Sequence, residues 1–473
     1  MEELCQRIPV VAVMVFRELN NQSLIKSKEA SRELSQFMCN ERFYWLRIIK
    51  IYNKNFLEYQ VLWKKVLEKT PVSIIQQIAY AIQKFFMQRA PNFCIHHNTA
   101  CPPGCENLIA SLQWTPLHMI AYCGLFEIYK YAHGKTGEIN PPIINGLTPL
   151  HFACQESHMS ICEYILEKVD DKNPGRNDGG TPLHLAAQNG HLEICKLMMK
   201  GLENINPGNN NGLTPMHSAA LNGHLKVCEL IMKNIQDKNP STNYGITPLH
   251  MAAFRGHLKI LELIMDSLED KNPGGNNGLT PLHLAAENGS LKACEFIMDI
   301  LEDKNPGDNH GLTPLHLAAE NGHLKVCEVI MNSLEDKNPG DNHGSTPLHN
   351  AAGNGYLKIC ELIMEGLEDI NPGNNYSVTP LHFAAKNDNL KVCELIMKRL
   401  RDKNPPTPNG FTPLHIAAMH GHFNVCKLIC KNVSKIDIVH YINDVGWTPI
   451  KFAISKKNWS VVWLLASFQS ALQ

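Results

Sequence analysis

The stretch GLTPLHLAAENG at Gly278–Gly289 occurs again, without a single change, at Gly311–Gly322, 33 residues further along the chain. The Thr-Pro pair inside it recurs with the same 33-residue step through ten copies, and an eleventh copy follows after 36 residues. The threonines of these copies are Thr115, Thr148, Thr181, Thr214, Thr247, Thr280, Thr313, Thr346, Thr379, Thr412 and Thr448. A fixed period of roughly 20 to 50 residues is typical of proteins built from stacked units. The spacing therefore predicts a solenoid of about eleven repeats.

Each unit of this pattern predicts two short helices followed by a turn. Thr280 is a favourable N-cap, and Pro281 at the first helical position lacks only an N–H group that would have no partner inside the helix. Two alanines follow, which let a neighbouring helix approach closely, and Gly289 fits the end of this helix. A second, apolar-faced helix is expected at positions such as 224–235, and residues 236–245 indicate a turn. One unit is too small to bury its own apolar face, so the core is expected between units.

The TPLH motif, the helix–turn–helix–loop order and the 33-residue period together resemble the ankyrin repeat, over about Asn107–Ser467. The resemblance implies an all-α ankyrin-repeat solenoid, here called the array, at residues 107–473. It also implies that the concave face of the array binds proteins, through the loop tips and the first helices.

Two repeated positions depart from the family pattern, and single departures are Asp388–Asn389 in place of the usual Gly-His and TPIK in the terminal unit, where local irregularity is expected. The loop sequence DKNP carries lysine where the family usually has valine, and an apolar residue stands where the family usually ends the second helix with glycine. The apolar residues at this position include Leu202, Ile235, Leu268, Leu301 and Leu334. We expect a slightly longer second helix and altered packing of the loops, within the same fold.

The charge of the chain is divided between a basic head and an acidic remainder. Residues 1–100 hold 14 Lys/Arg and 8 Asp/Glu, and the other residues hold 30 and 37, although the whole chain has a net charge of only −1. Nucleic-acid binding needs a basic stripe along the contact surface, so a nucleic-acid partner is not expected. No apolar run approaches the ~20 residues of a membrane span, and the N-terminus lacks the pattern of a signal peptide. A membrane partner is therefore not expected either.

Eight of the 16 cysteines occupy one repeat position, which Leu261 fills in another repeat. They are Cys162, Cys195, Cys228, Cys294, Cys327, Cys360, Cys393 and Cys426. Because an apolar residue substitutes there, the cysteines are predicted to be small buried hydrophobes. Reduced thiols in such number indicate a cytoplasmic or nuclear protein.

Ten of the 23 histidines belong to the repeated TPLH motif, where the ring can bond to the backbone beside the threonine cap. We interpret them as part of the scaffold. The chain contains no nucleophile elbow, phosphate-binding loop, metalloprotease motif or paired-carboxylate constellation. We therefore predict that the protein is not an enzyme and needs no cofactor.

One cluster outside the repeats combines cysteine and histidine, in FCIHHNTACPPGC at Phe93–Cys105. Cys94, His96, Cys101 and Cys105 are of the residue types that zinc prefers as ligands. Their spacing matches no zinc-finger pattern, and the Pro-Pro-Gly run fits a linker into the array. No metal is predicted, and these four residues stay weak zinc candidates.

The head, residues 1–48, predicts three short helices, and a bridge with a linker, residues 49–106, predicts two more. An Ile8–Pro9 pair opens the head, a Ser23–Leu24–Ile25 element follows its first helix, and Phe43–Trp45 closes it. This order resembles the F-box over about residues 7–46. The resemblance implies docking to the linker subunit of a cullin–RING ubiquitin ligase, through Pro9, Leu24, Ile25, Phe43, Tyr44 and Trp45. The alternative is a helical cap that shields the first repeat.

By the ankyrin resemblance, binding specificity lies where the repeats differ, just before Thr-Pro and just after the alanines. The partner-binding candidates are Tyr244, Phe254, Arg255, His310, His343, Tyr376, Phe411 and Met419. Large apolar and aromatic side chains along an exposed ridge are typical of an interaction surface. The alternative for the aliphatic residues is packing between neighbouring loops.

The predicted function is a non-catalytic adaptor, with a protein target on the array and a ubiquitin ligase of the SCF type on the head. Two alternatives stay open. One is an ankyrin scaffold whose N-terminal helices only cap the array. The other is an enzyme or metal-dependent protein built around Cys94–Cys105.

Overall fold

The computed structural model describes residues 115–434 and 441–470. Within these residues the chain forms 22 α-helices in eleven successive pairs, and no strand. The first six pairs are α1 (Pro116–Tyr122) and α2 (Phe126–Thr136), α3 (Pro149–Gln155) and α4 (Met159–Leu166), α5 (Pro182–Gln188) and α6 (Leu192–Met199), α7 (Pro215–Leu221) and α8 (Leu225–Asn234), α9 (Pro248–Arg255) and α10 (Leu258–Met265), and α11 (Pro281–Glu287) and α12 (Leu291–Ile300). The other five are α13 (Pro314–Glu320) and α14 (Leu324–Asn332), α15 (Pro347–Asn354) and α16 (Leu357–Glu365), α17 (Pro380–Lys386) and α18 (Leu390–Arg399), α19 (Pro413–His420) and α20 (Phe423–Asn432), and α21 (Pro449–Ser455) and α22 (Trp459–Ser470). The predicted all-α repeat solenoid is confirmed.

The chain divides into two compact units, unit 1 at Met1–Ser218 and unit 2 at Ala219–Gln473. In unit 1, the first helix of each pair packs against the first helix of the next, as α1 against α3 and α3 against α5. The same neighbour-to-neighbour packing runs through unit 2 from α9 to α21, and the second helices stack likewise from α8 to α22. Each repeat in a unit therefore buries its apolar face against adjacent repeats, as a solenoid requires.

The core is made of the residues that recur. In the repeat of unit 2 that contains α11 and α12, Leu282, Ala285, Ala286 and Cys294 are fully buried. The eight repeated cysteines are all buried and free, which confirms their prediction as core residues. Burial raises the pKa of the Cys294 thiol to about 12, because a thiolate would be poorly solvated there.

The histidine of each TPLH motif joins two consecutive repeats. The backbone N–H of Thr280 donates to Nδ1 of His283 at 3.1 Å, so Nδ1 carries no proton and the ring is neutral. Nε2 of the same ring donates to the carbonyl oxygen of Leu312, in the next repeat, at 2.9 Å. The predicted bond between the histidine ring and the backbone beside the threonine cap is confirmed. The second bond, to the next repeat, was not predicted from the sequence. The histidines with both bonds are His118, His151 and His184 in unit 1 and His250, His283, His316, His349, His382 and His415 in unit 2.

The ends of most first helices in the described residues are capped by a side chain of the following repeat. Nε2 of His257 donates to the carbonyl oxygen of Leu221 at 3.2 Å, satisfying one of the last carbonyls of α7. Gly223 makes room for this ring, because a Cβ atom there would lie 2.7 Å from the imidazole. Where Asp388 and Asn389 replace Gly-His, Asp388 has a φ of 58° and Asn389 donates to a carbonyl of the preceding repeat at 2.8 Å. The substitution therefore preserves the cap.

In five of the six DKNP loops the lysine caps the second helix, and the apolar position before the loop is not helical. α10 ends at Met265, and Leu268 lies beyond its end, half-buried. Nζ of Lys271 donates to the carbonyl oxygens of Met265 at 2.5 Å and Leu268 at 2.6 Å. The prediction that the second helix extends through this position is therefore wrong. The ammonium group satisfies carbonyls that a terminal glycine motif would otherwise satisfy, and its charge complements the negative helix end.

Candidate functional site

The loops of unit 2 are held in register by a ladder of asparagine side chains. Nδ2 of Asn309 donates to the carbonyl oxygen of Asn276 at 3.0 Å, and Nδ2 of Asn342 donates to Asn309 at 3.1 Å. The same bond joins Asn276 to Asn243 and Asn375 to Asn342. The ladder fixes the residues that follow these asparagines, four of which were predicted to bind a partner. These fingertip residues are Tyr244, His310, His343 and Tyr376.

The fingertip residues lie on the surface. The side chains of Tyr244 and Tyr376 are 67% and 65% exposed, and both histidines are exposed. The backbone N–H groups of His310 and His343 each donate to the aspartate two residues earlier at 2.8 Å, which fixes the turn. Their position makes them accessible to a partner, and their binding role stays a prediction.

A groove with a volume of about 410 Å³ lies in unit 2 between the fingertip Tyr376 and the following repeat. Its apolar lining consists of Tyr376, Val378, Phe383, Phe411, Ile416 and Met419. These side chains come from two loops and from α17 and α19, so the groove exists only when two repeats are stacked. Concave, mostly apolar surfaces with a few polar groups at the edge are the usual form of a binding site.

The walls of the groove are held by aromatic and histidine contacts. The ring of Phe383 meets His349 edge-on, with centroids 5.5 Å apart, and Phe411 packs against Phe452 at 5.6 Å. His382, whose pKa is lowered to about 4 by burial, donates from Nε2 to the carbonyl oxygen of Phe411 at 3.3 Å. Phe411 is half-buried, so it serves both the packing between repeats and the groove surface.

The rim of the groove carries basic side chains. Lys386 and His420 are exposed at the ends of α17 and α19. The His420 ring stacks on His422 at 5.7 Å, and Nε2 of His422 donates to the carbonyl oxygen of Lys386 at 2.9 Å. Partial burial lowers the pKa of His420, and the neighbouring His422, Lys386 and Lys456 lower it further. The rim is thus a region of positive potential.

Phe254 and Arg255 lie at the end of α9 in unit 2, away from the groove lining. The Arg255 guanidinium lies over the Phe254 ring at 5.4 Å, so the two side chains form one cation–π pair.

Burial raises the pKa of Glu287, and the charge of Glu320 raises it further. The ends of α11 and α13 are therefore acidic, in contrast to those of α17 and α19.

The structure brings three of the eight predicted array residues together, Tyr376, Phe411 and Met419. The remaining five, Tyr244, Phe254, Arg255, His310 and His343, do not line the groove. Sequence reasoning missed Phe383 and Ile416 as lining residues. The signal was available, because both occupy x, the most variable position of the TPLHxAA motif.

Several predictions concern residues outside the described part of the chain. They include the head at 1–48, the bridge at 49–106, the docking residues Pro9, Leu24, Ile25, Phe43, Tyr44 and Trp45, and the zinc candidates Cys94, His96, Cys101 and Cys105. Among the residues that the structure does describe, no group of three or more His, Cys, Asp or Glu could hold a metal ion. None of the described helices is both long and apolar enough to span a membrane.

The stacked helix pairs and the apolar groove define a repeat scaffold with a surface suited to binding. The family model described as Ankyrin repeats (3 copies) matches overlapping segments at 86–178, 117–207, 168–242, 229–306, 249–341, 333–405 and 381–471. These segments span more than half of the chain, and the chain belongs to the ankyrin-repeat family. Ankyrin-repeat proteins are generally non-catalytic scaffolds that bind other proteins. Comparison with curated proteins found no match.

Proposed function

We propose that this protein is a non-catalytic adaptor that holds a protein target in the groove of unit 2. The observation that supports it most directly is the meeting of Tyr376, Phe411 and Met419 in one apolar concavity of about 410 Å³. Tyrosine, phenylalanine and methionine supply large contact areas, and all three are enriched in the cores of protein interfaces. The fingertips Tyr244, His310 and His343, and the Phe254–Arg255 pair, would contact the target outside the groove.

Site-specific photo-crosslinking in cells tests target binding at the groove. Tyr376 is replaced by p-benzoylphenylalanine in the full chain, and a matched variant carries the same residue at Lys391, which is exposed on the second helix α18. We expect irradiation to give a discrete protein adduct at position 376 and none at position 391. Equal labelling at both positions, or none at either, would contradict a target site at the groove.

The head extends this proposal to a ubiquitin ligase. Its sequence resembles the F-box, so we propose that it docks to the linker subunit of a cullin–RING ligase and makes the protein a substrate receptor. The same compartment, cytoplasm or nucleus, would hold the ligase and the reduced thiols of the array. The support is the pattern Ile8–Pro9, Leu24–Ile25 and Phe43–Trp45 in the sequence.

Co-purification of the linker subunit with the full chain tests the head. We expect the linker to be retained by the wild-type chain and lost in a Pro9→Ala/Leu24→Ala variant. A Tyr376→Ala/Met419→Ala variant is the control, since it alters the array and leaves the head intact. A chain that never retains the linker would indicate the alternative, an ankyrin scaffold with a helical cap. Stoichiometric zinc in the purified chain would instead favour the metal-dependent alternative.

A further inference from the structure

The ionisable groups around the groove are predominantly positive. Lys386 and His420 lie on the rim, and His420 lies within the electrostatic influence of Lys456 and His422. The acidic side chain in this cluster is Asp388, whose Oδ1 is 3.9 Å from Nδ1 of His422. One carboxylate therefore faces two lysines and two histidines, so the rim is cationic when the imidazoles are neutral and more so when they are charged.

The equivalent positions in earlier repeats of unit 2 have the opposite charge. Lys386 follows the paired alanines of α17, and Glu287 and Glu320 follow the paired alanines of α11 and α13. Burial raises the pKa of Glu287, and the nearby charge of Glu320 raises it further. Charge is thus segregated between the ends of these first helices, and the groove belongs to the basic part.

From the apolar groove and its basic rim we infer that the segment bound here carries a large apolar side chain flanked by acidic residues. The groove volume lies within the range of about 300–1,000 Å³ that is usual for ligand pockets, so it can take one or two such side chains. Flanking carboxylates would pair with Lys386 and Lys456, whereas a basic segment would meet like charge at the rim. This inference rests on the proposed target site and specifies its partner chemistry.

Three fluorescein-labelled peptides of equal length test the inference against the full chain by fluorescence anisotropy. The first has Leu and Phe between flanking glutamates, the second has lysines in place of the glutamates, and the third has serines in place of Leu and Phe. We expect the second and third to bind at least about tenfold more weakly than the first, and the first to weaken as salt is raised. Equal binding of the first two, or no saturable binding of the first, would overturn the inference.

Charge reversal at the rim provides the matched test. Lys386→Glu is expected to weaken binding of the acidic peptide about tenfold. Lys456→Glu tests the same loss of binding at an independent exposed position. Lys391→Glu makes the same charge change on α18 and should alter the affinity by less than about twofold. Equal losses in Lys386→Glu and Lys391→Glu would refute a local role of the rim. Photo-adducts at position 376 without peptide selectivity would leave the target site standing and remove only its acidic preference.

Discussion

Acidification should destabilise the array because the motif histidines of its repeats are buried in the neutral form. In unit 2, burial lowers the pKa of His250, His349, His382 and His415 from 6.5 to about 4. Below pH 6.5 these histidines bind protons in the unfolded chain but stay neutral in the folded chain. The free energy of unfolding therefore falls as the pH falls. The loss of stability begins near pH 6.5, the histidine pKa in the unfolded chain. It stops growing near pH 4, the histidine pKa in the folded chain.

The magnitude follows from the two pKa values. Between pH 7.5 and 5.5, a histidine with a folded pKa of about 4 loses about 1.3 kcal/mol of stabilising free energy. Four such histidines act in unit 2, and a typical domain is stable by only about 5–15 kcal/mol. Most carboxylates titrate at lower pH, near about 4, and contribute little in this interval.

Urea unfolding followed by far-UV circular dichroism at pH 7.5, 6.5 and 5.5 measures the effect. The His250→Gln variant replaces one buried imidazole with a group that does not titrate, so its loss between pH 7.5 and 5.5 should be smaller by about 1.3 kcal/mol. His310→Gln, which removes an imidazole from an exposed fingertip, is the control and should keep the wild-type pH dependence. A wild-type midpoint that does not move over this range would refute the reasoning, as would identical pH dependence in His250→Gln.

Three further changes test the structural roles of repeated residues. Lys271→Met removes the cap of α10 and should cost about 1–3 kcal/mol in urea unfolding, whereas the exposed control Lys259→Met should cost less than about 0.5 kcal/mol. Asn272→Ala removes the acceptor of the Leu282 N–H, now at 3.1 Å, and should cost about 1–2 kcal/mol; wild-type stability would contradict this. Cys294 should react with iodoacetamide only after denaturation, because its thiol is buried and its pKa is raised to about 12; rapid labelling of the native protein, read by mass spectrometry, would contradict that burial.

The repeat architecture follows from the sequence alone because its signals are local and periodic. A threonine cap and a proline at the first helical position mark each first helix, a glycine marks the end of most of them within about ten residues, and 33-residue spacing repeats these signals. One repeat position holds cysteine in eight repeats and Leu261 in another, and this exchange identified it as a core position. The structure buries both residue types there. These inferences need no knowledge of how distant residues meet.

The groove and the lysine cap depended on tertiary structure. Tyr376 and Met419 lie in different repeats, and only the stacking of one repeat on the next brings them to one concavity with Phe411. Lys271 reaches back to Met265 because the loop folds over the helix end, a path that no pattern of side-chain types specifies. The sequence by itself determined which residues build each repeat, since capping and burial act over short distances. Tertiary structure alone decided which variable side chains share a surface, because that depends on packing between repeats.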